Sequence, residues 1–227
     1  MNSTGEAKSL TARFAALDSC AVSDALDSLG LPPAVVGLIA LSTPARIAGR
    51  VATVKLGLEP PASGSPRHLG TAAIEAAEPG DVIVLEHSSG VECAGWGGVL
   101  CAGARARGVA GVIIDGPARD IDEARALEFP VYGRSANART ARGRIYEQDF
   151  DCTIKIGDVR VDPDDFVLAD GSGVVFVPKR RLEETVRRAE RIVAREALMV
   201  TALRNGERIT EVVGRDYEQM LNELDSD

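Results

Sequence analysis

The feature that most constrains the fold is the stretch from Trp96 to Asp120, which reads WGGVLCAGARARGVAGVIIDGPARD. A glycine pair opens it, and the small residues that follow, up to Gly108, predict a helix. The apolar run Val109 to Ile114 then predicts a buried strand, and the stretch ends in a loop that carries Arg119 and Asp120. This order predicts one strand-helix unit of an α/β fold.

The two ends of this stretch carry different chemistry. Glycines such as Gly97 and Gly98 let the backbone approach a ligand closely, and the N-terminus of the following helix points N–H groups at anions. At the other end, Arg119 is a partner for a carboxylate, and Asp120 is an oxygen ligand for a hard metal ion. The two ends could therefore face one small molecule.

Each of these signals also has a simpler interpretation. Asp120 could cap the following helix beside a surface arginine, and glycine pairs more often form tight turns than ligand sites. Only two histidines are present, and the sequence suggests no acid partner for His87. His87 follows a strand and could transfer protons, whereas His68 is the weaker candidate.

Composition and charge limit the class of protein. The chain has 227 residues, 45% of them hydrophobic, which predicts a single domain over residues 1–227 with a helical extension over residues 181–227. A net charge of -8 argues against nucleic acid as a partner. No stretch approaches the roughly 20 apolar residues that span a bilayer, so we expect no membrane association. The four cysteines form no CxxC pair, and we expect reduced thiols in a cytoplasmic protein.

Strands and helices alternate in the first part of the chain, and the pattern then changes. Turn residues separate short β runs from Asp151 to Pro178, which predicts hairpins. Residues 134–150 are charged and show little periodicity, so we expect an exposed or subunit-contacting segment. The remaining expectations are strands at 47–58, 81–86 and 129–132, helices at 9–16, 23–30, 68–77, 120–127, 181–205 and 216–224, and a loop near something mobile or functional at 59–67.

The long C-terminal helix carries one carboxylate at an unexpected position. Glu196 falls where the apolar stripe of the helix is due to continue, and a carboxylate on a buried stripe needs a partner. That partner could be an arginine such as Arg195, an arginine of another subunit, or a ligand. The stripe consists of Val186, Ala189, Val193, Val200 and Leu203.

Six segments of the chain resemble the successive motifs of one family. The chain is similar to the superfamily that joins class II 4-hydroxy-4-methyl-2-oxoglutarate aldolases with the RraA-like regulators of ribonuclease E activity. The resemblance covers nearly the whole chain, and the stretch from Trp96 to Asp120 is its most specific part. The other segments are VSDALDSLG (22–30), IAGRVATV (47–54), EPGDVIVLE (78–86), FPVYGR (129–134) and VDPDDFVLADGSGVVFVP (161–178).

The resemblance implies a fold, an assembly and a site. The fold would be α/β, of the β/β/α swivelling-domain type with a C-terminal helix, assembled as a homotrimer or hexamer with sites at subunit boundaries. In the aldolases, residues matching Arg119 and Asp120 bind the pyruvyl carboxylate and a divalent metal, Mg²⁺ or Mn²⁺. A glutamate of a neighbouring chain reaches the metal through water, and Glu196 is its equivalent here. Backbone groups of the glycine turn, which complete the substrate pocket, correspond to Gly98, Val99 and Leu100.

One departure from the family pattern bears on activity. The aldolases carry an acid twenty-one residues before the arginine, and that position is Gly98 here. His87 or Cys93 could substitute for it, and restoring the acid by Gly98→Asp is expected to tighten metal binding.

The resemblance thus implies a metal-dependent lyase, retro-aldol or decarboxylating. Its substrate would be a small 2-keto or hydroxy acid such as 4-hydroxy-4-methyl-2-oxoglutarate or oxaloacetate. The alternative is a noncatalytic RraA-like protein that regulates an RNA-processing enzyme. The intact pair of Arg119 and Asp120 favours the enzyme over the regulator. The missing acid at Gly98 makes this preference for the enzyme weaker.

Overall fold

A computed structural model of the chain describes residues 3–60, 67–87 and 89–214. Its helices are α1 (Ser3–Ala16), α2 (Ser19–Ser28), α3 (Thr71–Ala76), α4 (Gly98–Ala106), α5 (Ile121–Ala126), α6 (Leu182–Arg204) and α7 (Ile209–Val212), with a 3-10 turn at Lys179–Arg181. Its strands are β1 (Ile39–Ala40), β2 (Ile47–Gly57), β3 (Val82–Glu86), β4 (Gly111–Ala118), β5 (Val131–Ala136), β6 (Tyr146–Phe150), β7 (Ile154–Ile156), β8 (Val159–Val161), β9 (Phe166–Ala169) and β10 (Val174–Val177).

A mixed sheet organises the molecule, in the order β1-β5-β4-β3-β2-β9-β10, with β6 paired to β2. Strands β2, β3, β4 and β5 run parallel to one another, and the pairings of the sheet that involve β1, β6, β9 or β10 are antiparallel. The carboxyl ends of β3 and β4 therefore lie side by side, and the connections that lead into α4 and α5 start there. Ligands in α/β proteins usually bind at such ends.

Successive side chains of each strand point to opposite faces of this sheet, and both faces are buried. On one face, Ile83 and Ile114 pack against α3, α4 and α5. On the other face, Val84 and Ile113 pack against the separate β7–β8 hairpin and the inner side of β9 and β10. The outer side of β9 and β10 buries a third cluster against α1, α2 and the first half of α6. These layers confirm the predicted α/β class with a C-terminal helix.

Helix α2 begins earlier than the sequence pattern predicts, at Ser19 rather than Ser23. The side chain of Asp18 accepts a hydrogen bond from the Ala21 N–H at 2.9 Å, which caps the helix. Asp170, in the β9–β10 turn, accepts from the backbone N–H of Ser19 at 2.8 Å and from its hydroxyl at 2.6 Å. Because Asp170 lies far along the chain, the periodicity of the residues near Ser19 cannot predict this start of the helix.

Segment 134–150 is mostly exposed, as predicted, but it also contains strand structure that the sequence did not predict. β5 extends to Ala136, Ile145 is buried, and β6 pairs antiparallel with the end of β2. The hairpins between Asp151 and Pro178 are confirmed, because β7 pairs with β8 and β9 with β10.

The apolar stripe of α6 is also different from the prediction. It is buried only in the first half of the helix, since Val193 is 37% and Val200 44% exposed. Ala202 instead packs on Val212 of α7.

The predicted helix at 216–224 lies outside the described residues. Within the described ranges, none of the helices has the length and apolar character needed to cross a membrane.

Candidate functional site

The connection between β3 and α4 runs alongside the end of β4. The Gly95 N–H donates to the Pro117 carbonyl at 3.0 Å, and the Arg119 N–H donates to the Trp96 carbonyl at 2.9 Å. On its other side, the Ala94 N–H donates to the Arg139 carbonyl at 2.9 Å. These backbone contacts extend the sheet past its regular strands and bring the glycine pair next to Arg119.

Asp120 connects the two ends of the Trp96–Asp120 stretch directly. Its Oδ2 accepts hydrogen bonds from the Gly98 N–H at 2.9 Å and from Arg119 Nε at 3.3 Å. It makes no side-chain capping bond to its own helix, α5. Asp120 occupies the N-cap position of α5, as the simpler interpretation has it, but its side chain does not cap that helix. The carboxylate instead caps α4, where a negative charge is favourable.

This close approach favours glycine at positions 97 and 98. A Cβ at Gly97 would lie 2.7 Å from Asp120 Oδ2, which is closer than real side chains come. A Cβ at Gly98 would lie 3.2 Å from the Cβ of Asp120 and 3.3 Å from that of Glu123. The two glycines therefore allow α4 to pack closely against the start of α5, and they also allow a ligand to approach the backbone.

Several donors remain available around this contact. The first N–H groups of a helix have no partner within it. In α4 the Cys101 N–H is bonded back to the Gly97 carbonyl at 3.0 Å, so those of Val99 and Leu100 point out of the helix N-terminus. The terminal Nη atoms of Arg119 make no hydrogen bond with the described residues. The side chain of Arg119 is 39% exposed, which leaves its planar fork open to a ligand.

These groups line a cavity of about 350 Å³, a volume suited to a small metabolite. Its lining combines the ends of the parallel strands with the segment before α3 and the segment that leads into β6. The lining residues are Arg67, His68, Leu69, Ala94, Gly95, Trp96, Gly97, Val99, Leu100, Arg119, Asp120, Thr140, Ala141, Arg142, Gly143, Ile145 and Tyr146.

The structure brings four of the six predicted site residues to this cavity: Val99, Leu100, Arg119 and Asp120. Gly98 lies outside the lining, and Asp120 occupies its N–H, so that donor is not free for a substrate. Glu196 also lies outside the lining and is exposed on α6 in the protomer. Its predicted role in a neighbouring subunit stays a prediction.

Of the two histidines, the structure places His68 and not His87 at the cavity. His87 is buried, with Nε2 at 2.8 Å from the Cys93 carbonyl oxygen. Burial raises the pKa of the Cys93 thiol, which keeps it protonated. The structure therefore gives no support to His87 or Cys93 as a substitute for the missing acid. Both are buried residues of the connection between β3 and α4.

Cys101, at the first turn of α4, is a packing residue rather than a nucleophile. Burial raises the pKa of its thiol to about 11. Its Sγ accepts a hydrogen bond from the indole N–H of Trp96 at 3.2 Å, which fixes the ring in the cavity wall.

The sequence analysis missed four cavity residues with polar side chains: Arg67, Thr140, Arg142 and Tyr146. The last three belong to segment 134–150, which was predicted only as exposed or subunit-contacting. The close spacing of Arg139, Arg142 and Arg144 was a signal that this segment could bind an anion.

Asp120 is suited to hold a divalent cation, but it has little support from other protein ligands. Its Oδ1 accepts no hydrogen bond from the described residues and is a hard oxygen donor next to the cavity. In the described part of the chain, no three His, Cys, Asp or Glu residues are grouped to hold a metal. Mg²⁺ commonly uses one or two carboxylates together with substrate oxygens and water, so a single aspartate fits that mode.

Substituting Gly98 by aspartate is expected to destabilise the protein by about 1–3 kcal/mol, because the new Cβ presses on Asp120 and Glu123. The added charge also stands beside two existing carboxylates. Urea unfolding measures this cost, and Gly98→Ala separates the contact from the charge. If Gly98→Asp keeps the wild-type unfolding midpoint and binds Mn²⁺ more tightly, the expectation from sequence holds instead.

Several known proteins are similar to this chain over most of its length. A sequence profile described as RraA-like, Aldolase/RraA, matches residues 19–176. A protein of Halalkalibacterium halodurans named "Putative 4-hydroxy-4-methyl-2-oxoglutarate aldolase" is 31% identical over 183 residues, which cover 79% of this chain and 81% of that protein. Protein DlpA of Legionella pneumophila is 28% identical over 200 residues, 88% of this chain, although the chain spans only 32% of DlpA.

A solved structure shows the same fold. It is Streptomyces coelicolor RraAS2, described as an unusual member of the RNase ES inhibitor RraA protein family. The TM-score is 0.72 at 25% identity, with 84% of this chain and 94% of that chain covered. This likeness confirms the predicted RraA-like fold.

Proposed function

The chain belongs to the RraA-like (Aldolase/RraA) family, and from that premise we propose that it is a divalent-metal-dependent lyase acting on a small 2-keto or hydroxy acid. The observation that carries the proposal is the contact of Arg119, Asp120 and the α4 N-terminus at one cavity. A cation, an anion and free N–H donors together match the carboxylate and keto groups of such a substrate.

Arg119 and α4 hold the substrate in this proposal. The two Nη atoms of Arg119 bind the substrate carboxylate, and Asp120 holds the guanidinium in place through Nε. The N–H groups of Val99 and Leu100 add donors from a fixed helix end. Apolar side chains of Trp96 and Ile145 in the wall exclude water, which strengthens these electrostatic contacts.

Asp120 would hold the cation through Oδ1, and Mg²⁺ or Mn²⁺ bound there would polarise the keto group of the substrate. Breaking the adjacent C–C bond leaves its electron pair on the keto acid fragment, with negative charge on the former keto oxygen. The other fragment leaves as CO₂ in decarboxylation, or as a second carbonyl compound in retro-aldol cleavage, where its hydroxyl proton goes to solvent. Solvent then returns a proton to the carbon of the keto acid fragment. Arg119 stabilises that charge from the carboxylate side. The same arrangement serves retro-aldol cleavage and decarboxylation.

We also propose that the active form is a homotrimer, or a hexamer of two trimers, with the cavity at a subunit boundary. Val99 supports this proposal, because it is 86% exposed although it lines the cavity. A neighbouring chain could cover it and bring Glu196 to the site. Light scattering is expected to give a trimer or a multiple of it, and a monomer at micromolar concentration would refute the shared site.

A second candidate function is noncatalytic regulation of an RNA-processing enzyme. Two observations favour it: the likeness to RraAS2, described as belonging to an RNase inhibitor family, and the glycine at position 98 in place of an acid. A purely regulatory protein would not need the cavity or its intact Arg119–Asp120 pair, and these features therefore favour the lyase.

A screen for cleavage of 2-keto and hydroxy acids with Mg²⁺ or Mn²⁺, coupled to pyruvate detection, tests the two candidates. We expect pyruvate release that stops when the cation is chelated and that is absent in Arg119→Ala. Release that persists in Arg119→Ala contradicts the proposed site. No release from 4-hydroxy-4-methyl-2-oxoglutarate or oxaloacetate, together with inhibition of a ribonuclease, favours the regulator.

A further inference from the structure

Proton transfer is the part of the proposed reaction to which no side chain of the cavity has yet been assigned. Retro-aldol cleavage needs a base for the hydroxyl proton, and the enolate that remains needs a proton on carbon. The carboxylate of Asp120 is already committed, because its Oδ2 accepts hydrogen bonds from the Gly98 N–H and from Arg119 Nε, and its Oδ1 would hold the cation. A further group is therefore needed at the cavity.

His68 is the lining residue whose side chain has the chemistry for this step. Besides Asp120, the other polar side chains of the described lining are three arginines, a tryptophan, a threonine and a tyrosine. Arginine and tryptophan side chains donate hydrogen bonds but accept none, and hydroxyl side chains are poor bases near neutral pH. Histidine is the residue type that gains and loses a proton near neutral pH.

The backbone around His68 is held on both sides by one buried carboxylate. Arg67 Nη1 lies 3.4 Å from Glu147 Oε1, and the Gly70 N–H donates to Glu147 Oε2 at 2.7 Å. The Glu147 side chain is only 3% exposed. The hydroxyl of Thr71 also donates to the His68 carbonyl at 2.8 Å. His68 therefore projects from a fixed wall of the cavity, and a fixed support is what a proton-transfer group needs.

The imidazole ring of His68 has one nitrogen available. Nδ1 lies 3.4 Å from the Leu69 carbonyl oxygen, and Nε2 makes no hydrogen bond within the part of the chain that the structure describes. When Nδ1 donates to this carbonyl, Nε2 carries the lone pair of a base. The residue is exposed and also lines the cavity, so it is accessible to both substrate and solvent. His87 differs, since it is buried and its Nε2 lies 2.8 Å from the Cys93 carbonyl oxygen.

We propose that His68 is the catalytic base and acid of the lyase and transfers protons between the substrate and solvent. The inference rests on the proposed function, because it takes Arg119 and Asp120 to hold the substrate and the cation. As the C–C bond of a hydroxy acid breaks, Nε2 takes the hydroxyl proton. The imidazolium, which exchanges its protons with solvent, then donates one from Nε2 to the carbon of the keto acid fragment, and the ring is neutral again. In decarboxylation, the ring takes that proton from solvent before it donates it to carbon.

Hydrogen exchange on pyruvate tests this step separately from C–C cleavage. In D₂O with Mg²⁺, a proton-transfer group at the cavity replaces the methyl hydrogens of pyruvate by deuterium, which NMR measures. His68→Gln keeps a polar side chain that cannot gain a proton near neutral pH. We expect its exchange rate to fall at least roughly a hundredfold, the lower end of a typical acid–base contribution. The affinity for oxalate with Mn²⁺, which involves no proton transfer to carbon, is expected to stay close to that of the wild type.

Glu75→Gln is the control, because Glu75 is an exposed ionisable residue of the neighbouring helix α3 and lies outside the cavity lining. It is expected to leave the exchange rate unchanged. In His68→Ala, added imidazole is expected to restore part of the exchange, which a purely structural role of His68 would not allow.

Three results would overturn the inference: exchange at the wild-type rate in His68→Gln, a loss of exchange matched by an equal loss of oxalate affinity, or no rescue of His68→Ala by imidazole. A wild type that binds oxalate through Arg119 but shows no exchange also overturns it, and leaves the proposed substrate site standing. A wild type that neither binds oxalate nor exchanges pyruvate overturns the inference and the proposed function together.

Discussion

Replacing Arg119 by lysine is expected to weaken binding of oxalate or pyruvate roughly tenfold to a hundredfold, with little change in the thermal unfolding of the protein. Lysine keeps the positive charge but loses the planar fork that binds both carboxylate oxygens. The lost hydrogen bond to a charged group is worth about 1.5–3 kcal/mol, and each 1.4 kcal/mol corresponds to about a factor of ten in affinity. Calorimetry with Mg²⁺ present measures the change.

Arg125→Lys serves as the control for this experiment. Arg125 lies on the exposed face of α5, where it pairs with Asp122 at 2.9 Å, outside the cavity lining. Its replacement is expected to leave ligand affinity unchanged. An unchanged affinity in Arg119→Lys as well would show that Arg119 is a surface residue and would remove the basis of the proposed site.

Replacing Asp120 by alanine is expected to abolish the mutual dependence of metal and keto acid binding. In the wild type, we expect Mn²⁺ to bind poorly alone and much more tightly with oxalate, because one aspartate supplies too few ligands and the chelating anion supplies the rest. Calorimetry of Mn²⁺ with and without oxalate measures this dependence. Identical Mn²⁺ binding in wild type and variant, or no binding in either condition, would favour the regulator or a metal-free enzyme.

The Asp120→Ala variant removes more than the charge of the carboxylate, so a second variant is needed. Asp120 has a φ of 57°, in the left-handed region that costs most residues about 1–2 kcal/mol but that asparagine and aspartate tolerate. Its Oδ2 also caps α4 through Gly98. Asp120→Asn keeps the backbone tolerance and an oxygen acceptor but removes the charge. We therefore expect Asp120→Asn to unfold close to the wild type and still to lose the dependence on oxalate.

The sequence predicts those parts of the fold that local patterns determine. Apolar runs bounded by glycines locate β3 and β4, and turn residues locate the β7–β8 and β9–β10 hairpins. The site follows from the same logic, because carboxyl ends of neighbouring parallel strands meet at one edge of a sheet. Arg119 and Asp120 are predictable for this reason.

Contacts between distant parts of the chain explain what the sequence does not predict. β6 is mostly polar and forms a strand because it pairs with β2, about ninety residues earlier. The place of Arg142 in the cavity depends on the contact of its loop with Ala94. In α6, Val193 and Val200 continue a helical period, but among the described residues they stay 37% and 44% exposed. Periodicity shows which residues share a face and does not show what that face meets.

The buried indole in the cavity wall is an intrinsic fluorescence probe of the cavity. Trp96 is the single tryptophan of the chain, 2% exposed, and it lines the same cavity as Arg119. Indole emission depends on the polarity around the ring, so a charged ligand that displaces water beside it changes the spectrum. Fluorescence of the unlabelled protein can therefore follow cavity occupancy in real time, and the variants above can be ranked before any substrate is known.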